Sequence, residues 1–199
     1  MRFQSLMQDI GTPLPDFSVP DPSGRVFTPH EFRTARGLLV AFICNHCPFV
    51  LHVLDSFVAL AKEYASHGIA TVAISSNDVA AHPEDGPVPM AALATARGFG
   101  FPYLYDETQS AALQFGAACT PDFFLYGSDR RLYYRGQFDA SRPNTPHTTG
   151  RPGAGAPATG ADLRAALDAL LAAHLPPQEQ RPSMGCSMKW KPGREPAWG

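Results

Sequence analysis

The stretch that most limits how this chain can fold is "GLLVAFI" (37–43), followed at once by a helical pattern and then by "IATVAIS" (69–75). A continuous apolar run of strand length suits the buried centre of a sheet, where both faces are covered. After it, Phe49, Val53, Phe57, Leu60 and Tyr64 recur at helical spacing. Pro48 is tolerated in the first turn of that helix, and Gly68 stops it. Strand, helix and strand in this order predict a right-handed crossover between parallel strands, so the fold class is α/β.

The rest of the chain supplies smaller elements. "FSVPDPSGRVFT" (17–28) reads as a hairpin turning on Asp21-Pro22-Ser23-Gly24. Residues 77–89 read as a turn-rich loop, and "MAALATARGFG" (90–100) and "SAALQFG" (110–116) as short helices. "DFFLYG" and "RLYYRGQF" flank Gly127-Ser128-Asp129 as an antiparallel hairpin. Residues 139–160 form a surface loop; its "RPGAGAPATG" is glycine-rich but lacks phosphate-loop spacing. Residues 161–174 form an amphipathic helix with Leu163, Leu167, Leu170 and Leu171 on one face. From Leu175 periodicity ends, yet Cys186, Trp190 and Trp198 follow. A merely solvated tail seldom carries such residues, so the expected organisation is a domain over 1–175 with residues 176–199 docked on it, the tryptophans as anchors.

At 199 residues the chain has room for a single core. A net charge of −2 without a basic stripe argues against a nucleic-acid partner. No run approaches the roughly 18–20 apolar residues of a membrane span. The opening "MRFQSLMQDIGTPLPDF" shows no export signal, which makes the cytoplasm the expected compartment. There, four cysteines are more plausibly catalytic or metal-binding than structural staples.

Cys44 and Cys47 sit where the first buried strand gives way to the helix. A helix N-terminus offers unpaired N–H groups and the positive end of a dipole, both of which stabilise a thiolate. Cys44 is expected just before the helix as the exposed attacker, with Cys47 in the first turn, facing inward. Lowering a thiol pKa from ~8.5 to ~7 raises the thiolate fraction at neutral pH about sixteenfold. Nucleophilicity falls at the same time, leaving a gain of only about three- to fourfold. The larger benefits are a better leaving group and a second thiol held ready to resolve a mixed disulfide. A metal site and inert packing are the alternative readings. Zinc needs four ligands, and adding Cys119 and Cys186 provides no second close pair. His46 either stabilises a Cys44 thiolate or faces solvent without an electrostatic role. His52, Asp55 and Glu63 read as ordinary residues of the long helix.

These features resemble the thioredoxin-like superfamily, and more narrowly the peroxiredoxin-like (AhpC/TSA-related) group of bacterial thioredoxin-family proteins. The likeness is carried by "GTPLPDF", "FICNHCPFV", "SSNDVAAHPEDGP", "FPYLYDETQ", "GAACTPDFFLY", "YRGQFDASRP" and "RPSMGCSMKWKPGREP". It implies a central mixed sheet flanked by helices, with Cys44 and Cys47 at the redox position. It also implies a cis-proline at Pro121 facing them, with Thr120 and Pro121 offering backbone groups to an extended substrate. It implies a thiol–disulfide oxidoreductase without a cofactor, whose partners are a disulfide-containing protein or small thiol and a cellular dithiol reductant.

An antioxidant thiol peroxidase and a non-enzymatic redox-sensing or metal-binding adaptor are the alternatives. The peroxidatic cysteine of true peroxiredoxins follows P-x-x-x-T/S-x-x-C; aligned on Cys47, the proline position is Val40 and the Thr/Ser position is Cys44. The usual arginine is replaced near Thr120. The parts for dithiol exchange are all present, whereas the usual peroxidatic set is not. Cys119, two residues before Pro121, is expected near the pair as a third redox thiol, a substrate contact or a small buried hydrophobe. Cys186 is either a resolving or relay partner or an idle thiol.

Overall fold

The structure, a computed structural model, describes residues 2–198. It opens with β1 (Arg2–Gln4) and the hairpin β2 (Val19–Pro20) and β3 (Val26–Phe27). The crossover unit follows as β4 (Gly37–Phe42), α1 (Pro48–Ala65) and β5 (Ile69–Ser75). Next come α2 (Pro87–Ala96), β6 (Tyr103–Tyr105), α3 (Ser110–Phe115) and the two-residue β7 (Cys119–Thr120). The hairpin β8 (Asp122–Gly127) and β9 (Leu132–Gly136), α4 (Ala161–Leu171) and β10 (Met184–Ser187) complete the chain.

The main sheet has the order β6-β5-β4-β8-β9. β4 runs parallel to β5 and antiparallel to β8, so Val40 lies between Val72 and Phe124. Every residue of β4 is buried, which is why its sequence shows no polar alternation. Successive side chains still point to opposite faces. Leu39, Ala41 and Ile43 pack with Val50, Leu54 and Phe57 of α1 and with Leu163 and Leu167 of α4. Leu38, Val40 and Phe42 pack on the other side with Phe115 of α3 and with Phe17, Val19 and Phe27 of the hairpin. This is a thioredoxin-like α/β fold with a mixed sheet between helical layers. No helix among the described residues is long and apolar enough to cross a membrane.

Two boundaries differ from the sequence reading. α2 begins at Pro87, inside the expected loop, because prolines in the first turn lack only an N–H that would be unpaired anyway. α4 stops at Leu171, and Ala173 beyond it adopts a positive φ of 55°.

The tail docks through a second, three-stranded sheet of order β1-β10-β7. Cys186 pairs with Thr120 and Ser187 with Cys119, both antiparallel. Close approach demands glycine beside Cys186: a Cβ at Gly185 would lie 1.9 Å from the Thr120 carbonyl oxygen. Farther along, the Lys189 N–H donates to Asn77 Oδ1 at 2.9 Å, and the Lys191 N–H to Gln109 Oε1 at 2.9 Å. Trp190 packs on the core and meets the Trp198 ring edge-on at 5.9 Å.

One ion pair lies wholly inside. Arg135 Nη2 donates to Asp122 Oδ2 at 3.2 Å and to the Gly116 carbonyl at 2.7 Å, and its guanidinium covers the Phe124 ring at 4.5 Å. Burial pushes the Asp122 carboxyl up to about 6, against the pull of Arg135. Truncating one member of such a pair strands the other without compensation. Asp122→Ala is therefore expected to lower stability by about 3–5 kcal/mol in urea unfolding; a loss below about 1 kcal/mol, the range of an exposed pair, would contradict this account.

Candidate active site

The site forms where the end of β4 meets the start of α1. Ile43 still follows the sheet, its N–H donating to the Ile74 carbonyl at 3.0 Å. The chain then turns through Cys44, Asn45 and His46 so that Cys47 becomes the N-cap of α1, with Pro48 as first helical residue. Thr120 is the common neighbour. Its hydroxyl lies 3.4 Å from Cys44 Sγ, and its carbonyl oxygen accepts from Cys47 Sγ at 3.2 Å. The Thr120–Pro121 peptide is cis. Cys186, facing Thr120 in the register of β10, brings a third sulfur to the same residue.

Exposure corrects two expectations. Cys44 is not an exposed attacker: Cys44 and Cys47 are both 0% exposed, and of the four cysteines only Cys186 reaches partial exposure. Thr120 likewise offers no free strand edge to a substrate, because β10 already pairs with it. Both differences follow from distant segments packing at the end of β4: Thr120 meets both sulfurs, and β10 of the tail pairs with Thr120 in turn.

The electrostatics reverse the expected roles of the pair. Interaction with the neighbouring Cys186 and Cys44 side chains favours the charged form of Cys47 and holds its pKa well below the ordinary thiol range despite burial. The Val50 N–H adds to this from the first turn of α1, although it does not reach a regular capping hydrogen bond. The Thr120 carbonyl works the other way, since it can only accept and so favours the protonated form. The lowering influences prevail, so of the two sulfurs Cys47 is the one favoured to lose its proton first. Cys44 is pushed up by donating to Cys47, by burial and by the negative charges of Cys47 and Asp85. Cys186 is raised first by its hydrogen bond to Cys47 and then by burial.

His46 is tied to a carboxylate beside Cys44. Its Nδ1 pairs with Asp85 Oδ2 at 2.7 Å, and its ring stacks on His82 with centroids 4.5 Å apart. Asp85, fully buried, also accepts from the Asn45 N–H at 2.7 Å and Asn77 Nδ2 at 2.8 Å. This carboxylate is the charged residue that sequence reasoning missed. It lies in the quoted "SSNDVAAHPEDGP", but nothing local distinguishes Asp85 from its exposed neighbour Glu84. Cys44, His46 and Asp85 offer ligand atoms within 4.8 Å of one another. Three donors of which two already pair together make a hydrogen-bonded support for the Cys44–Cys47 turn, rather than the four-ligand set of structural zinc.

The remaining candidates lie apart. Cys119 is sealed, its sulfur directed to the carbonyls of Pro121 and Ser183 at 3.8 and 3.9 Å, and burial raises its pKa. As the strand neighbour of Thr120 it points to the other face. His52 meets Ser141 Oγ at 2.9 Å, while Asp55 and Glu63 form surface ion pairs with Arg97 and Arg164.

A thioredoxin-like fold with cysteines at the buried start of its first long helix defines a class of thiol proteins. The chain belongs to the AhpC/TSA family, whose model matches residues 10–135, and is a thioredoxin-like oxidoreductase. It is similar to a hypothetical protein from Sinorhizobium meliloti 1021, with 48% identity over 96% of this chain and 99% of that one and a TM-score of 0.87. An uncharacterized conserved protein from Geobacillus kaustophilus shows 44% identity over 97% and 98%, with a TM-score of 0.89. Peroxidoxin BcpB from Mycobacterium tuberculosis, at 21% identity over 84% and 98% and a TM-score of 0.58, shares the fold. None of the curated proteins compared with the chain matches it.

The assignment of charge is directly testable. In the reduced protein, ultraviolet thiolate absorbance is expected to persist at about pH 6, well below an ordinary thiol pKa. It should vanish in Cys47→Ser and survive in Cys44→Ser; the opposite pattern would return the thiolate to Cys44.

Proposed function

We propose that this protein is a thiol–disulfide oxidoreductase in which Cys44 and Cys47 cycle between dithiol and disulfide. The observation that carries this reading is the pair itself: at the start of α1 both sulfurs meet one residue, Cys44 Sγ at the Thr120 hydroxyl (3.4 Å) and Cys47 Sγ at its carbonyl (3.2 Å). In the reducing direction, once a substrate disulfide has displaced the tail strand from Thr120, Cys47 attacks one of its sulfurs and expels the other as thiolate. Cys44 then attacks Cys47 Sγ, its proton passing to the departing thiolate, and the Cys44–Cys47 bond forms as the mixed disulfide breaks. A cellular dithiol reductant reverses the change. Cys47 itself sets the order of events: its interaction and charge push the Cys44 pKa up until Cys47 has been consumed, with burial and Asp85 acting in the same direction throughout. The substrate is a protein disulfide or a small thiol compound, and no cofactor enters the cycle. We place the reaction in the cytoplasm, where dithiol reductants are maintained.

A second reading is favoured by two observations: the thiolate is Cys47, the residue aligned with the peroxidatic cysteine, and it is sealed from bulky partners. Peroxide would oxidise Cys47 to a sulfenic acid with loss of hydroxide, and a neighbouring thiol would then condense with it, releasing water. Against it stands the absence of the usual proline and threonine at Val40 and Cys44.

Titration of the full chain in dithiol–disulfide buffers is expected to show a reversible two-electron couple, more oxidising than a free dithiol because the Cys47 thiolate is stabilised. Cys44→Ser and Cys47→Ser should each abolish it as a Cys44–Cys47 couple. No such couple in the unaltered chain would reject the first reading. Stopped-flow mixing with hydrogen peroxide separates the second: consumption no faster than by a free thiol is expected, and far faster consumption would make the protein a peroxidase.

A further inference from the structure

The tail strand occupies a telling position. β10 runs antiparallel to β7, putting Cys186 opposite Thr120, the residue whose hydroxyl touches Cys44 and whose carbonyl touches Cys47. An extended substrate laid along that edge would bring its own cysteine to this place. Cys186 packs against the core cluster that holds Cys44 and Cys47, and it alone of the three retains exposure. The strand is fixed at both ends. The Ser183 N–H donates to Ser5 Oγ at 2.9 Å and the Ser183 hydroxyl to the Gly136 carbonyl at 2.6 Å, while Lys189 is tied to Asn77. At Gly185, no side chain intervenes between strand and Thr120.

We propose that Cys186 is a third catalytic thiol, a built-in substrate cysteine that exchanges disulfide with Cys47 and carries oxidising equivalents from the sealed pair to the surface. This rests on Cys44 and Cys47 forming the redox pair. In the exchange, deprotonated Cys186 attacks Cys47 Sγ of the Cys44–Cys47 disulfide. That bond breaks toward Cys44, which leaves as thiolate and takes up the proton Cys186 gave up, so no net oxidation occurs. An external dithiol then attacks Cys186 Sγ, the accessible sulfur, and expels Cys47 as thiolate. Its second thiol closes the reductant's own disulfide and releases Cys186. Two electrons and one proton pass from the dithiol to the protein, and the dithiol's second proton goes to solvent because Cys47 stays a thiolate. In this second step Cys47 leaves readily as the thiolate of lowest pKa; in the first exchange it is position, with Cys186 opposite the residue whose carbonyl meets Cys47, that directs the attack to Cys47.

Three full-length variants test this. Cys44→Ser, oxidised with one equivalent of oxidised glutathione, is expected to form a Cys47–Cys186 disulfide by peptide mapping. Cys186→Ser should still form Cys44–Cys47, but dithiothreitol should reduce that disulfide about tenfold or more slowly than in the unaltered chain. Gly185→Ala keeps every thiol yet forces β10 off Thr120, and should slow reduction in the same way. Should Cys186→Ser fail to fold by circular dichroism, the Gly185→Ala rate decides. Equal reduction rates in the unaltered chain and the variants, or a Cys44→Ser protein that holds only glutathione on Cys47, would overturn the relay while leaving the redox pair intact. Failure of the unaltered chain to form Cys44–Cys47 would overturn both.

Discussion

One buried contact governs the site: the Cys47 sulfur at the start of α1, held between two thiols and the carbonyl of Thr120. A charge in such a place is tolerated only if hydrogen bonds replace the water it has lost. The donors come from three separate parts of the chain, namely Cys44 after β4, the first turn of α1, and Cys186 on β10. Remove any one and the thiolate loses part of its solvation. The same neighbours push the Cys44 and Cys186 pKa values up, so the three sulfurs do not titrate independently.

The fold exists, in this sense, to bring those segments to one point. β4 is buried on both faces and delivers the turn at its end with little freedom. α1 begins where that turn stops, because Pro48 accepts the first helical position. Thr120 arrives on a strand two residues long, too short to be stable alone, and β10 completes its pairing. The tail is therefore a structural part of the site, although the family match ends at residue 135 and does not include it. The similar proteins from Sinorhizobium meliloti 1021 and Geobacillus kaustophilus match over 96% and 97% of this chain, well beyond that segment.

Much of this fold was legible in the sequence, and the reason is local. Continuous apolar runs at 37–43 and 69–75 can only be central strands, and the helical period between them fixes the crossover. The two cysteines at the strand-to-helix boundary marked the site by the same logic. Burial and charge were not legible, because they depend on distant partners. Cys44 meets a residue 76 positions away, and His46 meets Asp85 39 positions away. A reading of neighbours alone assigned the thiolate to Cys44 and the tuning to His46, whereas folding gives the donors to Cys47 and engages His46 with a buried carboxylate. Thr120 was placed correctly beside the thiols, but only the register of β10 shows that its edge is taken.

What unites these points is Cys47 as the sulfur to which every other reacting thiol is directed. Peptide mapping of disulfides in the unaltered, mildly oxidised chain tests that most directly. Every intramolecular disulfide recovered is expected to contain Cys47, paired with Cys44 or with Cys186. A Cys44–Cys186 bond as the main product, or one that draws in Cys119, would contradict it.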